Sequence, residues 1–118
     1  MTEQEVVKML KEKGVRFFLT GSQAIAPDLA YESDTDFAVL DARGRLDLSD
    51  WEDESSNLGK YDGDDFTSYR KGDINLIVMK SADMFYRWEV ATAAAKQMGI
   101  QSRPERIRLF QGVLYGNW

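Results

Sequence analysis

The chain contains no cysteine and no histidine. The first absence excludes disulfides, thiolate nucleophiles and cysteine-ligated zinc. The second excludes a Ser-His-Asp triad, an imidazole general base and nearly all transition-metal sites. Any metal must then be a hard cation held by oxygen, and any general base a carboxylate, lysine or tyrosine. Positive charge is also short: 15 Lys and Arg stand against 20 Asp and Glu, a net charge of -5. A protein that grips long nucleic acid through its phosphates usually carries a basic surface, and none is evident here overall. No apolar run approaches the ~20 residues that span a bilayer. The opening stretch MTEQEVVKMLKEKG is charged and amphipathic, unlike a secretory signal. The expectation is a cytoplasmic protein that does not engage a membrane.

What is present is enough for a core. Hydrophobic residues make up 43% of 118 positions, a globular composition, and a chain of this length buries roughly two-thirds of its unfolded surface. The expectation is a single domain, 1–118. Thr2 and Glu5 form a capping-box pattern ahead of Val6, Val7, Met9 and Leu10, which have helical spacing. Residues 15–20 are nearly continuously apolar and read as a strand buried on both faces. Ser22 suits the N-cap of a short helix that Pro27 ends. Residues 36–40 read as a second buried strand. Residues 41–63 are polar loop, with a short helix near 48–51. Residues 66–71 and 73–79 read as two strands joined at Gly72. Ser81 caps a helix with the stripe Met84, Phe85, Trp88, Ala91, Ala95 and Met98, ended by Gly99. Ser102 and Glu105 open a last helix lined by Ile107, Phe110, Val113 and Leu114. The order α-β-α-β-β-β-α-α predicts an α+β (α/β-like) fold, a small mixed β-sheet covered by helices.

One stretch carries the chemistry. In 17-FFLTGSQAIAPDLAYESDTDFAVLD-41, Asp34 and Asp36 enter the second strand two residues apart, and so point to one side. Two unit charges ~5 Å apart at an effective dielectric of ~20 repel by about 3 kcal/mol. A divalent cation between them reverses that sign, and Mg²⁺ suits a few carboxylates with water and phosphate oxygens. Gly21-Ser22 follows a strand and opens a helix, where free backbone N–H groups attract phosphate. Asp73 opens the strand 73–79 and, if that strand lies beside 36–40, brings a third carboxylate to the same edge, with Asn75 on its face. Each part alone reads equally well as ordinary structure: a solvated acidic turn, a serine cap, a turn aspartate after Gly72.

Taken together, Gly21-Ser22, eleven intervening residues, Asp34-Thr35-Asp36 with an apolar run, and Asp73 resemble the signature of the DNA polymerase β-type nucleotidyltransferase superfamily, over residues 15 to 79. The small size is similar to that of the minimal nucleotidyltransferases. The resemblance implies the nucleotidyltransferase fold, two Mg²⁺ ions with Mn²⁺ as a substitute, and a nucleoside triphosphate donor such as ATP. It implies transfer of a nucleoside monophosphate to an acceptor hydroxyl on protein, RNA (tRNA included) or a small molecule. Asp34, Asp36 and Asp73 would be the catalytic and metal-binding residues, and Gly21 and Ser22 would hold the terminal phosphates. Gln23 stands where many small members carry arginine, and Pro27 where glycine is common. The alternative is a catalytically silent interaction protein on the same fold, antitoxin-like or regulatory, or a binder of nucleotide or metal; a protein partner belongs to that reading. Arg70, Lys71, Arg103, Arg106 and Arg108 are cations near these motifs, more often a solvated face than a site. Tyr31, Trp51, Tyr61, Tyr69, Trp88 and Trp118 are the aromatics able to stack a base. Trp51 and Tyr61 either flank a ligand or pin the long loop.

Overall fold

The computed structural model describes residues 1–27, 34–55 and 66–116. Helix α1 (Glu3–Glu12) starts at the capping box: the Glu5 N–H donates to Thr2 Oγ1 and the Thr2 N–H to Glu5 Oε1, both at 3.2 Å. Then come β1 (Arg16–Thr20), α2 (Gly21–Ile25), β2 (Thr35–Leu40), β3 (Glu52–Asp53), β4 (Phe66–Lys71), β5 (Ile74–Met79), α3 (Ala82–Met98) and α4 (Arg103–Tyr115). The strands form one mixed sheet in the order β1-β2-β5-β4-β3. β2 and β5 run parallel at its centre, and the remaining pairs are antiparallel. The fold is thus mixed α+β. Among the described residues, no helix is long and apolar enough to cross a membrane.

Both faces of the sheet are covered. Alternation along the central strands sends Phe37, Val39, Ile74, Leu76 and Val78 toward Val6 and Leu10 of α1. The intervening Ala38, with Met79, Phe66 and Ile25, packs on Phe85, Trp88, Phe110 and Leu114 of α3 and α4. Trp88 packs edge-on against Phe110 and at a tilt against Phe66 within this second core, with ring centroids 4.9 Å and 5.2 Å away. Serines close the starts of α3 and α4: the Met84 N–H donates to Ser81 Oγ and the Glu105 N–H to Ser102 Oγ. Gly99 ends α3 at φ 68°, in the left-handed region glycine favours.

Several expectations need correction. β1 is an edge strand rather than one buried on both faces: Phe17 and Phe18 pack into opposite cores, but Leu19 is 37% exposed. An edge strand has only one neighbour to cover it, and apolar character alone does not distinguish it from a central strand. Residues 48–51 form a turn, with the Trp51 N–H donating to Leu48 O at 3.0 Å, not a helix. Trp51 is buried in the α1-side core, so it pins the loop. The two-residue β3 was not anticipated; it is polar and too short for a periodic signal. Met98 leaves the α3 stripe and is 66% exposed. Tyr31, Tyr61 and Trp118 lie outside the described residues.

A buried polar knot ties β1 to α3. Trp88 Nε1 donates to Thr20 Oγ1 at 3.0 Å, the Thr20 and Thr92 hydroxyls lie 2.8 Å apart, and Thr92 Oγ1 donates to Trp88 O at 2.8 Å. Thr20 is 1% exposed. Thr20→Val keeps the shape but leaves the indole N–H without its acceptor, a cost of about 1–3 kcal/mol. The expected result is a midpoint temperature lower by roughly 5–15 °C in a circular-dichroism melt. An unchanged melt would show that the knot contributes nothing to stability.

Candidate functional site

The strand register builds a polar row at one end of the sheet. Thr20 pairs with Asp36, Asp36 with Asn75, Asn75 with Arg70, and Arg70 with Glu52. On β1, β2, β4 and β5 this position lies beyond the residues Phe18, Ala38, Phe66 and Ile77 that pack on the α3 and α4 side, so the row sits where the core ends. Thr20 is also the N-cap position of α2, but its side chain is committed to Trp88 and Thr92 and makes no cap bond. Ser22 lies inside α2 and is not the cap residue expected from the sequence. Its hydroxyl accepts a hydrogen bond from Arg106 Nη1 at 3.0 Å.

Gly21 has no room for a side chain. Its φ is +68°, and a Cβ built there would lie 2.0 Å from Asp36 Oδ2. The main chain at the β1–α2 corner therefore lies directly against the Asp36 carboxylate. Asn75 Nδ2 donates to the other oxygen, Asp36 Oδ1, at 2.8 Å. Burial pushes the Asp36 pKa up; the Asn75 hydrogen bond opposes this, the neighbouring Asp34 charge adds to it, and Arg106 and Arg70 oppose it. Asn75 Oδ1 is buried and has no described partner. An unsatisfied buried carbonyl is costly.

Asp34 is held differently. Arg70 Nη2 donates to Asp34 Oδ2 at 2.7 Å, while Arg70 Nε donates to Glu54 Oε2 at 2.9 Å. The hydrogen bonds to Asp34, then Glu54, push the guanidinium pKa further up. One arginine thus clamps the entry of β2 to the segment after β3. Asp73 belongs to the turn before β5 rather than to the strand. Its backbone is fixed beside β2, since the Thr35 N–H donates to Asp73 O at 2.9 Å. Asp73 is exposed and its carboxylate has no described partner.

The sheet brings Asp34, Asp36 and the backbone of Asp73 to one edge, with Gly21 and Ser22 beside Asp36. It does not close the three carboxylates around a common point: among the described residues, no three His, Cys, Asp or Glu side chains group closely enough to hold a metal ion. The donors available are all oxygen, two carboxylates and the unpartnered Asn75 carbonyl, which fits one hard cation such as Mg²⁺. The Asp34–Arg70 pair does not preclude that fit. Both side chains are about one-third exposed, and such pairs contribute about 0–1 kcal/mol.

Glu54 was missed at the sequence level, because nothing in a polar loop marks which acid meets Arg70. Arg70 and Arg106 were visible only as two cations among several.

Two expectations follow. Gly21→Ala places a methyl group into Asp36 and forces a left-handed backbone, costing about 1–2 kcal/mol for the backbone alone. Urea unfolding is expected to show at least that loss, and part of it is expected to return when Asp36→Ala is added; strict additivity would show that the contact is not felt. Because the Asp36 pKa is raised on folding, the native state holds the proton more tightly than the unfolded chain. The associated stability is present below the ordinary aspartate range and lost as pH rises through the raised value. Asp36→Asn is therefore expected to gain stability relative to the parent as pH rises above the ordinary aspartate range, and a pH-independent difference would contradict this. Comparison with protein-family models, with curated proteins and with solved structures finds no match to this chain.

Proposed function

We propose that the chain is a nucleotidyltransferase of the DNA polymerase β type, moving a nucleoside monophosphate from a nucleoside triphosphate to an acceptor hydroxyl. The observation that carries this reading is the contact of the Gly21 main chain with the Asp36 carboxylate. A glycine corner against an acidic residue suits a phosphate close to a cation, which supports the reading that the sequence resemblance suggests.

Asp34, Asp36 and the Asn75 carbonyl would hold Mg²⁺, or Mn²⁺ in its place. When bound, that ion supplies charge neutralisation of the triphosphate and a lowered pKa at a coordinated oxygen. The chain's own residues do the rest. Gly21 admits the phosphates close to the main chain, and Ser22 offers a hydroxyl. Asp73, exposed and unpartnered among the described residues, accepts the acceptor's proton. The acceptor oxygen forms a bond to the α-phosphorus, the bond from that phosphorus to the bridging oxygen breaks, and pyrophosphate leaves.

A second reading is favoured by the Asp34–Arg70–Glu54 clamp: an interaction protein on the same fold, in which arginine has replaced the metal as the counter-charge. The two diverge experimentally. Each radiolabelled triphosphate is incubated with Mg²⁺ or Mn²⁺, the protein and a cell lysate. The expected result is label on protein, RNA or a small molecule, reduced by a factor of ~10² or more in Asp34→Ala and Asp36→Ala. Arg70→Gln is expected to retain transfer and to lower the Mg²⁺ concentration giving half-maximal rate. No label with any triphosphate, and Mg²⁺ affinity indifferent to Arg70, would leave the interaction protein.

A further inference from the structure

Arg106 is the cation that the fold delivers to the Gly21-Ser22 corner, across 84 positions of sequence. Its place is set by packing. Arg106 and Phe110 are one helical turn apart on α4 and share a face. Phe110 is 3% exposed and packs edge-on against Trp88 of α3. The residue one turn toward the helix start is thus carried over the end of the core, where α2 begins. Ser102 and Glu105 close the start of α4, so that its first turn is well formed.

The chemistry of this arginine differs from that of Arg70. Arg70 is satisfied by two carboxylates. Arg106 has no salt bridge among the described residues, and the hydrogen bond to Ser22 occupies one of its five N–H groups. It is half-buried, whereas Arg103 and Arg108 on the same helix are exposed. A half-buried guanidinium held by a neutral hydroxyl keeps its charge available to an anion. Its planar fork matches phosphate oxygens two at a time. Asp36 is near enough to feel its charge, but the two form no salt bridge, and Asp36 Oδ1 is bonded to Asn75.

We propose that Arg106 seats the triphosphate tail of the donor nucleotide at the Gly21-Ser22 corner, with Ser22 Oγ fixing the guanidinium in place. This rests on the nucleotidyltransferase reading for the identity of the anion. The placement of the cation stands on the geometry alone.

The test uses inorganic tripolyphosphate with equimolar Mg²⁺, titrated calorimetrically into the full chain. Arg106→Gln keeps a hydrogen-bond donor for Ser22 and removes the charge, and Arg106→Lys restores the charge without the fork. Expected are binding by the parent, at least ~10-fold weaker binding by Arg106→Gln, partial recovery in Arg106→Lys, and little change in Arg103→Gln or Arg108→Gln. Circular-dichroism melts restrict the comparison to variants that fold. Parent-like binding by Arg106→Gln, an equal loss in all three Gln variants, or no binding by the parent would each overturn the proposal. Label transfer from nucleoside triphosphates is measured separately. Arg106-dependent tripolyphosphate binding without transfer would sink the enzyme reading and leave the anion site standing. Transfer with binding indifferent to Arg106 would do the reverse.

Discussion

The contact of the Asp36 carboxylate with the Gly21 main chain is the constraint on which the rest of this edge depends. It places a negative charge where the core of α3 and α4 ends, and it fixes how β1 turns into α2. A carboxylate so placed loses water, and burial is the largest influence on its pKa. The neighbouring groups then have a common purpose. Asn75 supplies a hydrogen bond to one oxygen, and Arg106 and Arg70 supply positive charge. The parallel pairing of β2 with β5 is what brings Asn75 alongside, so the central register of the sheet and the electrostatics of its edge are one arrangement.

Hydrogen bonding at this edge is unevenly shared. Thr20, next to Gly21, has its hydroxyl fully engaged with α3, which leaves Ser22 as the corner's available hydroxyl. Asn75 donates to Asp36 but its own carbonyl is left buried without a described partner. A buried carbonyl without a partner is costly in a stable fold.

Much of the fold was legible because its signals are local. The capping box at Thr2 and Glu5, the serine caps at 81 and 102, and the glycine stops are read from a few adjacent residues and recur in the structure. The hairpin around Gly72 was legible for the same reason. What failed were judgements that depend on neighbours in space. Residues 16–20 are apolar whether the strand is central or at the edge, and only the sheet order separates the two. Trp51 sits in a polar loop, yet is buried because the loop folds back over the α1 side. In the site, periodicity put Asp34 and Asp36 on one side and Asn75 on the face of Asp73; that Asn75 lies beside Asp36 follows only from the sheet register. Periodicity placed Asp73 one residue too far into its strand, because a turn aspartate and a strand-opening aspartate look alike after Gly72. The pairing of Arg70 with Asp34 and Glu54, and of Arg106 with Ser22, joins residues 16 to 84 positions apart. No spacing rule reaches that far.

The charge balance of the edge limits how an anion can arrive. Asp34, Asp36, Glu54 and Asp73 contribute four carboxylates, and Arg70 and Arg106 two guanidinium groups, which leaves two negative charges uncompensated when all are ionised. A free triphosphate, with several negative charges of its own, would meet repulsion from the acidic side before it felt Arg106. At separations of a few ångströms and an effective dielectric of ~20, each such pair is worth a few kcal/mol, so four carboxylates outweigh two guanidinium groups. A divalent cation removes this obstacle, since its two positive charges equal the excess. On the proposed reading, the anion therefore comes with its cation, as a metal–triphosphate complex does, rather than as a bare phosphate. The two arginines differ in the same balance: Arg70 is spent on the fold's own acids, whereas Arg106 has no salt bridge among the described residues and bonds to the neutral Ser22 hydroxyl.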